Sequence, residues 1–371
     1  MIQNVESGER SFDVSAHSGG LEVLERLADE WRALAAQSPD DEPFYRPEWI
    51  AAIIRAFFPH SKVLVISARA NGTLKFVLPL LQERVLFSGV PVLRLRSPVS
   101  VHSCRFDAVR CASREGEQAG LAAWRYLKEK QAWDLLELSD IPDESTVESL
   151  VGAAKADGFH TAKVPMRPNP IVLIEELEKL PRNNRLRGKL RQAHRELSKK
   201  GQLRLCRVET ANREVLERFY ELEASGWKGR EGGAVRYDAR ARKFYDEIAE
   251  IAGRYGYLSL YTLECGGNLL AAQFGLSHRG RYYSPKLAYD ESHREWAVGH
   301  LIVSEILRDC AARGVHTYDI TGPDDEWKMK WTDQVRGRSM YFVFRDRLWG
   351  SLAYVLRFRL GPSIKRLLRP R

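Results

Sequence analysis

The chain has 371 residues, of which 44% are hydrophobic, 29% charged and 10% aromatic. These are the values of a globular protein, so they exclude a wholly disordered chain, a collagen-like repeat and a coiled-coil rod, and the length predicts two or three domains. The 58 Lys and Arg residues exceed the 49 Asp and Glu residues, which gives a formal net charge of +9. A dedicated nucleic-acid-binding protein usually carries a larger excess for its size.

Cysteine usage and the N-terminus bear on the compartment. The five cysteines are an odd number, are widely spaced and form no C-x-x-C pair, which argues against a disulfide framework and a zinc ribbon. The N-terminal residues are polar and include no apolar h-region, and no apolar run reaches roughly 18 residues, the length needed to span a bilayer. We therefore predict a cytoplasmic protein.

The first half of the chain alternates between helices and strands. Two helices, three strands, a helix, a strand, a helix and a closing strand are predicted at 20–37, 46–58, 62–68, 73–81, 90–95, 115–131, 133–138, 143–157 and 160–164. The dipeptide Asn71-Gly72 predicts a hairpin between the first two strands. A connector with three prolines, residues 166–181, marks the predicted boundary.

The second half repeats the plan of the first. A strand, two helices, three strands, a helix, a strand, a short helix and a strand are predicted at 202–209, 212–228, 238–255, 257–264, 269–278, 281–289, 299–313, 316–321, 324–332 and 339–344. This order predicts an α/β fold with mixed β-sheets and flanking helices.

Gly299 stands where the predicted helix 299–313 begins, directly after a strand and its turn. The first backbone N–H groups of a helix have no intrahelical acceptor and bind phosphate well, and a glycine lets a ligand approach closely. The alternative interpretation is an ordinary turn, which is what one glycine near a helix start more often indicates.

Asp319 lies in a strand that is otherwise apolar, and Gly322-Pro323 ends that strand. Lys328 and Trp331 are three residues apart and would share one face of the following helix. A carboxylate at the end of a buried strand can act as a general base. The alternative is a structural ion pair between Asp319 and an arginine.

Several stretches of the second half together resemble the GNAT-type N-acyltransferases, in the branch of CelD/BcsL-like acyltransferases of bacterial exopolysaccharide and envelope pathways. The stretches are the basic helix 185–197 with Lys199-Lys200-Gly201, the turn 226–229, the strand segment 271–274, the turn 298–301, the run 319–322, and Trp327-Lys328 with Trp331. The first half also fits, at Pro43-Phe44, Glu48-Trp49, 78–80 and 133–138. The sequence departs from the family pattern at His300 and Trp327.

The resemblance implies a tandem GNAT fold. Its N-terminal GNAT-like domain would be 1–165, its catalytic GNAT domain 166–345, and its basic C-terminal tail 346–371. The implied co-substrate is an acyl-coenzyme A thioester, and no metal is implied. No H-E-x-x-H, P-loop, G-x-G-x-x-G or G-x-S-x-G motif occurs, so metal binding, nucleotide hydrolysis, dinucleotide redox chemistry and serine hydrolysis are all disfavoured.

The resemblance also implies roles for particular residues. Asp319 is the candidate base, Tyr283 and Ser284 would orient the acceptor or protonate the leaving thiolate, and Lys328 would stabilise negative charge or hold an acidic acceptor. The strand 284–289 would run along the pantetheine arm and the turn 297–301 would hold the pyrophosphate. The implied cofactor-binding residues are Leu287, Tyr289, Ala297, Val298, Gly299, His300 and Leu301.

Two basic segments remain. Residues 182–200 contain eight Lys and Arg residues and one acid, which is typical of a solvated helix face but also suits nucleic acid, anionic lipid or the phosphates of coenzyme A. Residues 345–371 contain eight basic residues, one acid and interleaved large apolar residues. That pattern suits a helix on an anionic membrane, and a helix packed on the body of the domain is the alternative.

The predicted function is transfer of an acyl group from acyl-coenzyme A to an amine. The acceptor would be an envelope amino sugar or a membrane-associated amine such as a sphingoid base, and the enzyme would be cytoplasmic or peripheral on the inner face of the cytoplasmic membrane. One alternative is a Fem-like aminoacyltransferase that takes aminoacyl-tRNA, although nucleic acid is not the favoured partner. The other is a non-catalytic membrane-surface scaffold.

Overall fold

A computed structural model describes residues 3–7 and 10–360. The chain forms two compact units, which we call unit 1 (Met1–Met166 and Gly337–Arg371) and unit 2 (Arg167–Arg336). Residues 337–345, which are predicted to belong to the catalytic domain, lie in unit 1. The functional roles of the domains stay predictions.

Twelve helices and strands begin in the first half of the described chain, namely the nine that the sequence predicts and three further strands. In chain order they are β1 (Gln3–Ser7), β2 (Arg10–Gly19), α1 (Glu22–Ala35), α2 (Pro47–Phe57), β3 (Lys62–Ala70), β4 (Thr73–Phe87), β5 (Val90–Arg96), β6 (Val109–Arg110), α3 (Arg114–Lys130), β7 (Leu135–Pro142), α4 (Thr146–Ala156) and β8 (His160–Leu173).

The remaining elements follow the predicted order of the second half. They are α5 (Asn184–Lys200), β9 (Leu203–Val208), α6 (Arg213–Ser225), α7 (Trp227–Arg230), α8 (Ala239–Arg254), β10 (Leu260–Cys265), β11 (Asn268–His278), β12 (Arg281–Tyr289), α9 (Val298–Ala312), β13 (Thr317–Asp319), α10 (Glu326–Met329), β14 (Val335–Phe344) and α11 (Leu348–Tyr354), which continues as a π-helix over Val355–Leu360. Short 3-10 helices occur at Pro43–Tyr45, Ile174–Lys179, Val235–Tyr237 and Glu291–Trp296.

Unit 1 contains a mixed sheet with the strand order β1-β2-β3-β4-β5-β7-β14. Only β5 and β7 pair in parallel along this order; the other neighbours are antiparallel. The predicted hairpin is confirmed, because Asn71 (φ 50°) and Gly72 (φ 75°) form the two-residue turn between β3 and β4. Both residues have positive φ, which the favoured type I′ hairpin turn requires.

Unit 2 contains a second mixed sheet, in which the end of β8 is followed by β13, β12, β11, β10 and β9. β12 and β13 pair in parallel, and the other pairs are antiparallel. Helices α5 and α9 pack on one face, where their leucines and isoleucines form a core with Tyr261, Tyr282 and Tyr318 of the sheet. Phe274 of β11 contacts Phe219 of α6 and Tyr245 of α8.

Several segments differ from the sequence predictions, and the largest differences are in the proline-containing connector and in the strands before α1. The proline-containing connector begins as a strand, since β8 continues to Leu173 and includes Pro168 and Pro170. A proline lacks the N–H donor but keeps its carbonyl acceptor and a strand-compatible φ. The N–H of Ile320 donates to the Pro170 carbonyl.

Near the N-terminus, β2 was not predicted from the sequence, although Phe12 and Val14 are buried at alternate positions. None of the described helices is long and apolar enough to cross a membrane.

Candidate active site

The parallel strands β12 and β13 of unit 2 run together for three residues and then separate. The paired residues are Arg281 with Thr317, Tyr282 with Tyr318 and Tyr283 with Asp319. β13 ends at Asp319, whereas β12 continues to Tyr289, so β13 offers β12 no strand partner beyond Tyr283. The edge of β12 beyond Tyr283 therefore has no neighbouring strand, and the backbone groups there that are not already hydrogen-bonded can bind a ligand.

A β-bulge lies at the point of separation. Across the sheet, Tyr283 is opposite Leu276 and Lys286 is opposite Phe274, so Ser284 and Pro285 together face Gly275. The bulged strand bends and twists at such an extra residue, and bulges frequently occur next to active sites. Here the bend redirects the part of β12 that follows Ser284.

The turn after β13 holds Asp319 beside β12. The Asp319 side chain is buried, and its Oδ1 accepts a hydrogen bond from the backbone N–H of Thr321 at 2.8 Å. The Thr321 hydroxyl in turn donates to the Ser284 carbonyl at 2.8 Å. Thr321 adopts a left-handed conformation with φ 49°, which is strained for a β-branched residue. The carboxylate and the bulge are thus fixed relative to each other through one residue.

Lys328 holds the same turn from the other side. Its ammonium is buried and donates to the carbonyls of Thr321 at 2.7 Å and Pro323 at 2.8 Å. The side-chain amide of Asn169 donates to the Gly322 carbonyl at 2.5 Å. Three consecutive carbonyls of this turn therefore accept from buried side-chain donors, which fixes the position of the backbone around Asp319.

The two hydroxyl candidates occupy different environments. Tyr283 is completely buried and lies opposite Asp319 in the strand register. The Ser284 hydroxyl accepts a hydrogen bond from the side-chain amide of Gln273, which also donates to the Tyr318 hydroxyl at 2.5 Å. Among the described atoms, Oε1 of the buried Gln273 has no hydrogen-bond partner. Ser284 is thus part of a polar network that crosses three strands.

The start of α9 lies directly after β12 and a 3-10 turn. Ala297 precedes the helix in a left-handed conformation, φ 50° and ψ 44°, and no side chain caps the helix. The N–H groups of His300 and Leu301 donate to the Ala297 carbonyl, and Val298 and Gly299 supply the first two N–H groups of the helix. The side chains of Val298 and Leu301 are buried. The Leu301 N–H already donates to Ala297, so of these two residues only Val298 offers a backbone N–H to a phosphate.

Gly299 is required by its contact with β12. A Cβ atom at this position would lie 2.9 Å from Cδ1 of Tyr289, so the glycine allows the tyrosine ring to pack on the first turn of α9. Leu287, another predicted cofactor-binding residue, packs its side chain against the core. Its carbonyl accepts a hydrogen bond from the Lys228 ammonium at 3.3 Å.

His300 is held by a tryptophan and is neutral. The Trp331 indole N–H donates to Nδ1 of His300 at 3.0 Å. Since an indole nitrogen can only donate, Nδ1 accepts and the ring proton is on Nε2. Burial, with smaller contributions from the charges of Lys330 and Lys189, lowers the pKa of His300 to about 4. The ring of Trp327, the second departure from the family pattern, lies 6.1 Å from the imidazole. His300 therefore presents an N–H donor at the start of α9.

The low pKa of His300 predicts a pH-dependent stability. An unfolded histidine titrates near 6.5, so between pH 6.5 and pH 4 the unfolded chain takes up a proton that the folded chain does not. The stability contributed by the neutral His300 is complete above pH 6.5 and is lost as the pH falls to 4, which amounts to about 3 kcal/mol in the free energy of unfolding. Urea unfolding followed by tryptophan fluorescence measures this change.

His300→Asn is the matched variant for this prediction, because its side-chain oxygen can still accept from Trp331 but does not titrate. Between pH 7 and pH 4, we expect the free energy of unfolding of the wild type to fall by about 3 kcal/mol more than that of His300→Asn. His194, which lies exposed on α5, provides the control, and His194→Asn should track the wild type. A constant difference between wild type and His300→Asn across this range would contradict the prediction.

A buried charged cluster next to β12 was not predicted from the sequence. Glu223 of α6 contacts the ammonium groups of Lys228 at 2.9 Å and Lys286 at 3.1 Å, and it accepts from the N–H of Val235 at 2.8 Å. Burial acts to raise the pKa of Glu223, but the two lysines and the N–H together hold it below its usual value. Burial lowers the pKa of Lys286. The cluster fixes the loop that follows α6 against the far end of β12.

Tyr283 lies opposite Asp319 in the strand register, and Thr321 connects the turn that carries Asp319 to the Ser284 carbonyl and to the Lys328 ammonium. The residue that links them, Thr321, was part of the quoted Asp-Ile-Thr-Gly run but was not predicted as a site residue, and Gln273 was missed although it stands in the quoted strand segment 271–274. In the described part of the chain, no group of three His, Cys, Asp or Glu side chains is placed to hold a metal ion.

Both units follow the same order of elements, and unit 2 combines diverging parallel strands with an uncapped helix start. These features define a mixed α/β fold with flanking helices in each unit. Residues 184–329 match the family described as an acetyltransferase (GNAT) domain, which confirms the predicted fold and the predicted acyltransferase. A comparison of the sequence with curated proteins found no match.

Solved structures with the same fold are similar over nearly the whole chain. FemX superimposes with a TM-score of 0.60 and 14% identity over 89% of this chain and 98% of its own. The C-terminal domain of a putative lysylphosphatidylglycerol synthetase from Agrobacterium fabrum gives 0.53 and 10% over 90% and 95%. L-PGS from Bacillus licheniformis gives 0.53 and 11% over 92% and 97%. At these identities the likeness concerns the fold alone.

Proposed function

We propose that unit 2 transfers an acyl group from a coenzyme A thioester to an amine. The observation that carries this proposal is the separation of β12 from β13 beyond Tyr283, directly before the uncapped start of α9. An open strand edge can hold the amides of a pantetheine arm, and the helix start can hold the pyrophosphate. β12 leads through one 3-10 helix to the start of α9. A single extended thioester can therefore contact the strand with its pantetheine arm and the helix start with its pyrophosphate.

The residues of the site suit each step of direct acyl transfer. When the amine nitrogen attacks the thioester carbonyl carbon, a nitrogen–carbon bond forms and the carbon–sulfur bond breaks. We assign Asp319 the role of the base that takes the proton of the amine. The hydroxyl of Tyr283 or Ser284 is the assigned proton donor to the departing thiolate. Lys328 stabilises the turn that carries Asp319, and its positive charge favours negative charge developing nearby.

Unit 1 contains the corresponding pair of parallel strands, but a loop takes up the space where they separate. β5 and β7 pair from Arg94 to Arg96, and the loop that follows β5 then returns, so that the N–H of Phe106 donates to the Asp140 carbonyl. Phe106 is completely buried. This loop supports our assignment of the acyl-donor site to unit 2 and not to unit 1.

We propose that the acceptor is an envelope amino sugar or a membrane-associated amine. The CelD/BcsL-like resemblance of the sequence supports the amino sugar. The C-terminal helix supports an acceptor at a membrane surface, which includes a sphingoid base, and with it a peripheral location on the inner face of the cytoplasmic membrane.

The C-terminal helix has two different sides. Phe358 packs against Phe342 and Phe344 of β14, so one side covers the core of unit 1. The other side exposes large apolar residues, namely Leu348 (73% exposed), Trp349 (44%), Leu352 (39%), Val355 (38%) and Leu360 (47%). Arg347, Arg357 and Arg359 lie on the same segment. Exposed apolar residues interleaved with arginines suit insertion into an anionic interface. The predicted apolar positions Ile364, Leu367 and Leu368 lie outside the described residues.

A charge on the exposed side should abolish membrane binding. We expect Leu348→Glu/Leu352→Glu to reduce co-sedimentation with phosphatidylglycerol vesicles by tenfold or more, because each leucine loses roughly 1.5–3 kcal/mol of burial and each glutamate is repelled by the lipid. Leu121→Glu on α3, where the leucine is 41% exposed, is the matched control and should bind like the wild type. Equal binding by all three proteins would contradict a membrane role for the helix.

The donor is tested by calorimetric titration of the full chain with coenzyme A, acetyl-coenzyme A and palmitoyl-coenzyme A below its micelle concentration. Tight binding of the long thioester alone supports N-acylation of a lipid amine, and comparable binding of the short one supports sugar acetylation. Binding of none of them would overturn the proposal and favour an aminoacyl-tRNA donor or a scaffold. Thermal unfolding with added tRNA separates those two, since only a bound ligand raises the transition temperature.

A further inference from the structure

A groove of about 300 Å³ lies between α5 and α9 of unit 2. Its apolar part includes Leu190 and Leu301, and its polar part is dominated by basic side chains, namely Arg187, Arg191, His194 and Arg308. The volume is that of a small ligand group, at the lower end of the range for binding pockets. The combination of an apolar wall with several cations is typical of a site for a phosphorylated, partly apolar molecule.

The positive charge of this groove is only partly compensated. Arg308 pairs with Glu305 at 2.7 Å. Arg187 is half-buried and donates to the Pro181 carbonyl at 3.1 Å, but no carboxylate of the described residues lies within ion-pair distance of it. Arg191 and His194 have no hydrogen-bond or ion-pair partner in the described part of the chain. Arg191 and Arg308 are exposed, so an anion that enters the groove can reach both guanidinium groups without a change in the fold.

The groove begins beside the start of α9. Leu301 belongs to the first turn of the helix and also lines the groove, whereas Arg308 lies roughly 10 Å further along the axis, at about 1.5 Å per residue. The far end of α5 approaches the same helix start, because the Lys200 ammonium lies 3.9 Å from the centre of the Trp296 ring. The cations of α5 therefore extend from the groove to the segment where we place the pyrophosphate.

We propose that this groove binds the adenosine 3′-phosphate of the coenzyme A donor, as a phosphate subsite separate from the start of α9. The inference rests on the proposed function for the identity of the donor. Guanidinium groups bind phosphate through paired N–H donors and stay charged at all physiological pH values, so Arg191 and Arg308 are the expected contacts. Arg187 already donates to backbone carbonyls, so we assign it to the wall of the groove.

Dephospho-coenzyme A, which lacks only the 3′-phosphate, tests the subsite directly. We expect the full-length wild type to bind coenzyme A about tenfold more tightly than dephospho-coenzyme A in calorimetric titration at low salt. In Arg191→Gln/Arg308→Gln this ratio should fall to twofold or less, with the Kd of dephospho-coenzyme A unchanged. An unchanged Kd for dephospho-coenzyme A would show that the variant has lost its contact with the 3′-phosphate and not its fold. The urea unfolding midpoint checks the fold independently.

The control is Arg195→Gln, which removes the same charge from α5 at an exposed residue that does not line the groove. It should keep the tenfold ratio, so that a general loss of positive charge is distinguished from loss of the subsite. Equal binding of the two coenzymes by the wild type would overturn the subsite alone. Binding of neither would overturn the proposed donor, and the subsite with it. Loss of binding to a single-stranded RNA in the double variant, with an unchanged coenzyme ratio, would assign the groove to RNA.

Discussion

Asp319→Asn should lower kcat for acyl transfer by about 10²–10⁴-fold, the usual contribution of a general base. The amide cannot take the proton of the amine, but its side-chain oxygen can still accept the hydrogen bond from Thr321 that now ends on Oδ1. The KM for the thioester should change by less than about threefold, because Asp319 is assigned to the amine and not to the donor. Steady-state kinetics with the best thioester found by titration measures both constants.

Asp325→Asn is the control for this prediction. Asp325 is a carboxylate of the same turn, at 3.6 Å from the Lys328 ammonium and 3.1 Å from the Arg167 guanidinium, and it has no assigned part in proton transfer. We expect Asp325→Asn to keep kcat within about threefold of the wild type. Comparable losses in the two variants would indicate that the turn as a whole is sensitive to charge. Full activity of Asp319→Asn would exclude Asp319 as the base.

Much of the fold is encoded locally and could be predicted from the sequence. β12 is predicted at 281–289 and observed at Arg281–Tyr289, because strand-forming residues follow the turn Arg279-Gly280, where both residues have positive φ. β8 shows the limit of such reasoning. Its prolines indicate a connector when only their neighbours are considered, whereas the strand persists because the Pro170 carbonyl accepts from Ile320, a residue far along the chain.

The site could be predicted as a set of residue types but not as an arrangement. The register that places Tyr283 opposite Asp319 joins two parallel strands across a helix, and no local pattern determines such a pairing. The role of Thr321 depends on the same separation of strands, since its hydroxyl reaches a carbonyl of β12 only there. For Lys328 the sequence indicates a charge near the site, and only the fold shows that the ammonium donates to two backbone carbonyls.

Arg105→Met should destabilise unit 1 by about 3–5 kcal/mol, the usual cost of removing one partner of a buried ion pair. Nη1 of Arg105 contacts both carboxylate oxygens of Glu42, at 3.0 and 2.8 Å, and both side chains are almost completely buried. Without the guanidinium, the Glu42 carboxylate loses this partner in a site that excludes water. Urea unfolding followed by circular dichroism measures the loss as a lower midpoint of the transition of unit 1.

Glu42→Leu/Arg105→Met tests whether the cost arises from the unpaired charge. Because two apolar side chains need no ionic partner, we expect the double variant to recover at least half of the stability lost by Arg105→Met. Lys128→Met removes one partner of a more exposed pair with Asp157 and should lower the free energy of unfolding by less than about 1 kcal/mol.

Arg105 also lies in the loop that fills the space where β5 and β7 of unit 1 separate. If unit 2 alone binds the thioester, Arg105→Met should bind it like the wild type under conditions in which both proteins are folded, whereas a changed Kd would assign part of the donor site to unit 1.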